Sequence, residues 1–253
     1  MQGLTEFLPV SSSGHLVAAR ALAGVATPGA ALEVWLHLGT LLPVVIVYRQ
    51  ALADMARGLV ARDKGGRGRA ALAALLVATA PAAAVGLLAR DSLEAAFAAP
   101  RVAALGLLGT TALLASLAFV PAARRAGDRA GAPAPAPLRA AIIGLAQALA
   151  LVPGLSRSGS TIVAGRWLGL APDEAAAFSF LLSVPAVLGA ALVEGVSHGL
   201  GGIGPAAALS GFGAAALSGY AALALVRRLV VRGRLGLFAP YTLAVAVAVL
   251  WRL

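Results

Sequence analysis

The chain has 253 residues, 60% of them apolar and only 12% charged, with a net charge of +10 at pH 7. A soluble domain carries about 25% charged residues, so an ordinary cytosolic enzyme and a disordered protein are both excluded, and an integral membrane protein remains. No cysteine is present, which removes disulfides, thiolate metal sites and a cysteine nucleophile, and the basic residues, nearly all Arg, fall between apolar runs as a topology signal rather than as a footprint for nucleic acid.

The N-terminus reads Met1-Gln2-Gly3-Leu4-Thr5-Glu6, with no basic stretch and no cleavable apolar stretch, so no signal peptide is expected. Residues 1–24 are apolar but interrupted by Pro9-Val10-Ser11-Ser12-Ser13-Gly14-His15. Broken backbone at membrane depth is viable only where it is buried in protein or lines a wet cavity, so this segment predicts a re-entrant hairpin. Residues 31–48 form an apolar run of about one bilayer thickness at 1.5 Å per residue. Segments 71–89 and 101–120 predict two more spans. Residues 140–170 are again apolar but broken, here by Pro153-Gly154-Leu155-Ser156-Arg157-Ser158-Gly159-Ser160-Thr161, and predict a second re-entrant hairpin. Segments 175–197, 205–226 and 236–252 complete the set. The expected fold is therefore an all-α integral membrane protein, a single membrane domain with about six transmembrane helices and two re-entrant helical hairpins.

The two broken segments echo each other. Ser11-Ser12-Ser13-Gly14 aligns with Ser156-Arg157-Ser158-Gly159, and Leu41-Leu42-Pro43-Val44 echoes Ser183-Val184-Pro185-Ala186. Paired interrupted segments point to an inverted repeat with a site at the repeat interface. The expected halves are 1–120 and 139–253, joined by the linker 121–138. Loops 49–70, 121–139 and 227–234 are rich in Arg and should be cytoplasmic; 198–204 has no Lys or Arg and should be external, with 90–100 on the same side. Both ends then lie outside, and the hairpins enter from opposite faces.

Ionisable groups at membrane depth are functional candidates. Gln2 and Glu6 share a helical face at i, i+4 and offer hard oxygen ligands for Mg²⁺ or Ca²⁺, or else form a helix-end pair. Ser11, Ser12 and Ser13 present hydroxyls to an anion, with His15 placed to deprotonate Ser12 or to attack directly; alternatively they cap a helix start. Around Arg157, glycines allow close backbone approach, Ser156, Ser158 and Thr161 offer donors, and the guanidinium is a fork matched to phosphate oxygens. A helix starting near Ser158 would aim its N–H groups at the same place; the other reading is an Arg paired to Glu6 or Glu174. Glu33 and His37 share a face and line a cavity or support the site. Asp173 and Glu174 cap a helix start, Arg166 and Trp167 anchor at the interface, and Glu194 and His198 lie near the external end of a span.

The run from Gln2 to His15 resembles the first signature of the undecaprenyl-diphosphate phosphatase family, also called the bacitracin-resistance family, and Pro153 to Thr161 resembles its second. Leu32-Glu33-Val34-Trp35-Leu36-His37-Leu38-Gly39 and the stretch from Glu174 to Pro185 also match, so the resemblance spans essentially the whole chain. It implies a metal-dependent hydrolase of the bacterial plasma membrane, with its active site on the external side, that converts undecaprenyl diphosphate to the monophosphate carrier for cell-wall synthesis. The family's essential acid, Ser, His and Arg fall on Glu6, Ser12, His15 and Arg157. Ser11, Ser13, Ser156, Ser158, Gly159 and Thr161 fall to the substrate, and Glu6 with Gln2 to a divalent cation, Mg²⁺ or Ca²⁺. The implied partners are a polyprenyl diphosphate and the membrane, and a homodimer is left open. Gln2 stands where many relatives have Glu, and His37 where Gln is expected. The family is also expected to carry about a helix's length before its first signature, where this chain begins one residue before it.

The nucleophile stays open among Ser12, His15 and water. A secondary transporter or lipid flippase would share the inverted repeat, and an anion channel would use Arg157 and the serines as a filter. Neither needs His15 beside a Ser and a carboxylate.

Overall fold

The structure is a computed structural model that describes residues 1–24, 30–60, 66–120, 134–198 and 203–252. Among these residues every regular element is helical. In chain order they are α1 (Gln2–Phe7), α2 (Ser12–Ala23), α3 (Ala30–Val47), α4 (Arg49–Val60), α5 (Arg67–Leu88), α6 (Arg90–Ala98), α7 (Pro100–Ser116), α8 (Pro137–Leu149), α9 (Arg157–Trp167), α10 (Pro172–His198), α11 (Pro205–Val231) and α12 (Ala239–Arg252), with short 3₁₀ turns at Leu117–Phe119 and Leu235–Phe238. Five of these are long and apolar enough to cross a membrane, α7 and α12 together with their 3₁₀ turns; α3 with α4 makes a sixth, bent by 84°. Pro43, Pro81 and Pro185 sit inside α3, α5 and α10, as is tolerated where neighbouring helices satisfy the freed backbone groups.

Three expected loops are helical instead. The 49–70 segment holds α4, which packs on the start of α5: Met55 and Gly58 are buried, and Arg69 Nε donates to the Gly58 carbonyl at 2.7 Å. The 90–100 turn holds α6. In 227–234, Arg227 and Arg228 lie in the last turns of α11. The reason is common to all three. Arg and Ala are good helix formers, so helix forms beyond the apolar runs that mark the bilayer core, as a continuation in α11 and as separate helices in α4 and α6. The 121–138 linker falls mostly outside the described residues, and α8 begins at Pro137 within its last two positions.

The two broken segments form helix pairs, α1–α2 and α8–α9. α1 packs against α11, and α8 packs in the same manner against α5; α7 touches α9, and α12 touches α2. Glycines set the closest of these approaches. A Cβ on Gly3 would stand 2.6 Å from the Ala215 carbonyl oxygen on α11, and one on Gly144 would stand 2.5 Å from that of Ala78 on α5. Helices in lipid associate through such small-residue packing, because lipid tails are as apolar as the side chains they would replace. The core gathers around Phe7, Ile162, Phe178, Phe180, Leu181 and Leu182. Phe7 and Phe180 meet edge to face at 5.7 Å, an arrangement worth roughly 0.5–1.5 kcal/mol beyond the area buried.

Candidate active site

The two hairpins meet turn to turn. Ser158 Oγ donates to the Leu8 carbonyl at 3.2 Å, and a Cβ on Gly14 would stand 2.9 Å from Gly154 Cα. At this junction Glu6, in the last turn of α1, is gripped from both sides. Arg157 Nη2, 151 residues away in the chain, donates to Glu6 Oε1 at 2.8 Å. Ser12 Oγ donates to Glu6 Oε2 at 2.9 Å. Arg157 Nη1 also donates to the Ser179 carbonyl of α10 at 3.3 Å. The Glu6 and Arg157 side chains are 9% and 16% exposed, so neither charge is well solvated and each is held by the other.

Local sequence explains how the side chains are aimed. Ser11 caps α2 by accepting from Gly14 N at 3.1 Å, and Ser156 caps α9 by accepting from Gly159 N at 3.1 Å. A Ser N-cap starts each helix at the next residue, so Ser12 and Arg157 both stand at the first helical position and face the junction. Thr110 of α7 ties down the second turn, accepting from Ser156 N at 2.9 Å and donating to the Gly154 carbonyl at 2.7 Å.

These groups open onto a cavity of about 620 Å³. Glu6, Ser11, Ser12, Ser13, Ser156 and Arg157 line its floor; Glu33 and His37 come from α3, and Ala82, Leu93, Phe97 and Ala190 supply apolar wall. The α3, α5 and α10 residues in its walls place the mouth at the end of the bundle that carries α6, opposite the end that carries α4 and the Arg-rich end of α11. A polar floor under apolar walls suits a ligand with a charged head and a hydrocarbon tail.

The other expected site residues lie off the cavity wall. Ser158 is turned to Leu8. Thr161 Oγ1 donates to the Arg157 carbonyl at 2.8 Å and meets Ser179 Oγ at 2.6 Å. Gly159 N is committed to the Ser156 cap. All three are buried; they brace the turn that presents Arg157. His15 is on α2, turned to α12: Nδ1 donates to the Ser11 carbonyl at 2.8 Å, and Nε2 accepts from the Tyr241 hydroxyl at 2.7 Å, with the two rings stacked. The Ser12 hydroxyl is thus bonded to a carboxylate and not to the imidazole. His37 Nδ1 lies 2.8 Å from the Gln2 carboxamide and 2.9 Å from the Glu33 carbonyl, to which it can only donate, and its Nε2 stands 3.7 Å from Glu6 Oε2.

Glu174 Oε2 accepts from Ala171 N at 3.3 Å, a helix-start contact as expected. Trp167 is exposed, with Nε1 donating to Ser116. The side chains of Glu194 and His198 lie outside the described residues. Sequence reading missed Thr110, Ser179, Tyr241 and Gln147. The first three are ordinary residues in apolar helices and leave no local signal. Gln147 had one: Gly144-Leu145-Ala146-Gln147 repeats Gly3-Leu4-Thr5-Glu6.

A divalent cation requires hard oxygens. Gln2 Oε1 is buried without a hydrogen-bond partner, and the two Glu6 oxygens each retain acceptor capacity beyond their single bonds. No group of three His, Cys, Asp or Glu is found among the described residues. Three oxygens from two residues are too few for an all-protein Ca²⁺ cage, but they suit Mg²⁺ shared with a ligand's oxygens and water.

The sequence model of the family described as "Bacitracin resistance protein BacA" matches residues 1–248. A protein named undecaprenyl-diphosphatase from Desulfosudis oleivorans is 41% identical over 265 residues, covering 99% of this chain and 94% of the relative. One of the same name from Salinibacter ruber is 37% identical, covering 100% and 96%, and one from Rubrobacter xylanophilus is 39% identical, covering 98% and 93%.

Proposed function

The chain belongs to the bacitracin resistance protein BacA family, and on that premise we propose how its membrane-embedded site hydrolyses undecaprenyl diphosphate to undecaprenyl phosphate and inorganic phosphate. The observation that carries the reading is the convergence of Ser12 and Arg157, one from each hairpin, on the two oxygens of Glu6. The diphosphate head enters the cavity while the prenyl tail stays against the apolar wall and lipid. Arg157 turns part of its fork from Glu6 to the terminal phosphoryl and stabilises the charge that develops there.

Ser12 Oγ attacks the terminal phosphorus, and its proton passes to Glu6. The Oγ–P bond forms as the anhydride P–O bond breaks, and undecaprenyl phosphate leaves with the proton that Glu6 returns. Water then attacks the phosphoserine, giving its proton to Glu6, and inorganic phosphate leaves as Ser12 regains its hydrogen. His15 reaches Ser12 only by leaving Tyr241; in this reading it holds the Ser11 carbonyl and so fixes where Ser12 points. Glu6 and Gln2 would hold a divalent cation, which when bound supplies further positive charge to the phosphate oxygens.

The membrane is the bacterial plasma membrane. Arg49, Arg57, Arg227 and Arg228 lie at the end away from the cavity, which under the positive-inside rule supports reading the cavity as facing the external side. The two halves, 1–120 and 139–253, are read as inverted repeats, supported by the matched packing of α1 on α11 and α8 on α5.

The test is inorganic phosphate release from undecaprenyl diphosphate by the purified chain in detergent, with and without chelator. Release that the chelator suppresses and Mg²⁺ restores supports the proposal. No release, with the lipid instead moved across liposomes, would mark a transporter.

A further inference from the structure

Gln147 is 2% exposed, and both atoms of its carboxamide, Oε1 and Nε2, lack a hydrogen-bond partner. Its side chain is among those lining the cavity that holds Glu6, Ser12 and Arg157. A buried amide with both ends unmet is a standing cost to the fold, because it loses its water and gains nothing in return. An apolar residue of the same size would serve packing better. A ligand that brings hydrogen-bonding groups into the cavity removes that cost.

The placement is built into the helix seam. Gly144 packs against the backbone of Ala78 on α5, and Ala82, one turn further along α5, lines the cavity. Gln147 is likewise nearly one turn beyond Gly144, so the tight α8–α5 seam runs directly into the cavity and fixes the height of Gln147 there. On the other side, Gly3 packs against the backbone of Ala215 on α11, and Glu6 is three residues beyond it. Gln147 therefore holds, in the second hairpin, the station that Glu6 holds in the first. A second carboxylate at that station would repel a diphosphate. An amide donates to phosphate oxygens without adding negative charge.

We propose that Gln147 is a substrate-contacting residue, its Nε2 donating to a non-bridging oxygen of the diphosphate and its Oε1 accepting from a water that enters with it. This rests on the phosphatase reading above. The residue binds and orients; it takes no proton and forms no bond to phosphorus.

The test compares wild type with Gln147→Leu and Gln147→Glu, reading KM and kcat for phosphate release from a polyprenyl diphosphate and Tm in detergent with and without inorganic diphosphate. Gln147→Leu is expected to raise KM about tenfold or more while Tm without ligand stays level or rises, since the unmet polar atoms are gone. Gln147→Glu is expected to lose more, through repulsion of the anion, and it carries the test should the leucine variant not fold. Wild-type KM in both variants overturns the proposal, and so does a lost activity that merely tracks a fallen Tm. If wild type itself releases no phosphate, the phosphatase reading fails and Gln147 is judged by binding alone. The proposal then survives only if inorganic diphosphate raises the Tm of wild type and not that of Gln147→Leu.

Discussion

In the first hairpin Ser11 caps α2 and touches Ser13 Oγ at 3.2 Å; in the second Ser156 caps α9 and touches Ser158 Oγ at 3.3 Å. The motifs match atom for atom, but the chain enters them differently. Four residues, 8–11, join α1 to α2, whereas seven, 150–156, join α8 to α9. The longer connector lets a glycine take the left-handed turn, with Gly154 at φ 91° and Ser156 relaxed at φ −75°. The shorter one puts the turn on the capping residue itself. Ser11, at φ 67°, is the only non-glycine residue with positive φ among the described residues, a conformation that costs roughly 1–2 kcal/mol. The residue after the cap also differs: Ser12 in one hairpin, Arg157 in the other. One fold of the backbone thus presents a hydroxyl from one side and a cation from the other. The strain sits beside Ser12, the proposed nucleophile, in keeping with the clustering of backbone strain at functional sites.

The sharpest way to break this comparison is to remove each product of the matched turns. Ser12→Ala and Arg157→Ala should each lower kcat/KM for phosphate release by at least about a hundredfold, on the scale of a lost general-base partner or charge stabiliser. Arg157→Ala should also destabilise by roughly 3–5 kcal/mol, because Glu6 is left charged and unpaired; Ser12→Ala should not. Wild-type kcat in Ser12→Ala would sink attack by serine and return the role to His15 or water.

The turn glycine comes next. A Cβ on Gly154 would run into the Ala103 carbonyl and the Leu107 amide, at a φ that resists side chains. Gly154→Ala should therefore cost roughly 3 kcal/mol, read as a fall in Tm with activity lost in parallel. A stable, active Gly154→Ala would show that the second turn is not fixed by that glycine.

The smallest effect separates the two caps. Ser11→Gly relieves a strained φ and should stabilise by about 1 kcal/mol, whereas Ser11→Ala keeps the strain, loses the cap and should cost about 1 kcal/mol. Ser156→Gly has no strain to relieve and should cost a few tenths of a kcal/mol. Thermal unfolding in detergent gives the order, and equal responses at Ser11 and Ser156 would erase the distinction.

Much of this architecture was legible beforehand. Apolar runs of bilayer length located the spans, and Pro, Ser and Gly inside two of them located the hairpins, because both signals are local. The helical loops were missed for a local reason too: α4 and α6 are polar enough to read as connections, although their Arg and Ala favour helix and they pack on α5 and α7. At the site, Glu6, Ser12 and Arg157 were legible from residue type and are brought together. Ser158 and Thr161 were legible as hydroxyls but not as braces, since whether a hydroxyl meets ligand or carbonyl depends on which way its helix faces. Gln147 was overlooked although Gly144-Leu145-Ala146-Gln147 repeats Gly3-Leu4-Thr5-Glu6, because four residues with two identities are a faint echo until the packing shows that they hold matching stations.

By itself, the sequence determined that this is a helical membrane protein with two broken segments rich in anion-binding groups, because hydropathy, helix breaking and side-chain chemistry are properties of short stretches. Only the tertiary structure decided that Glu6 and Arg157, 151 positions apart, pair with each other, that His15 faces Tyr241, and that Gln147 stands unmet in the same cavity. Those outcomes depend on how the helices approach one another, which glycines such as Gly3 and Gly144 permit but which no short stretch of sequence specifies.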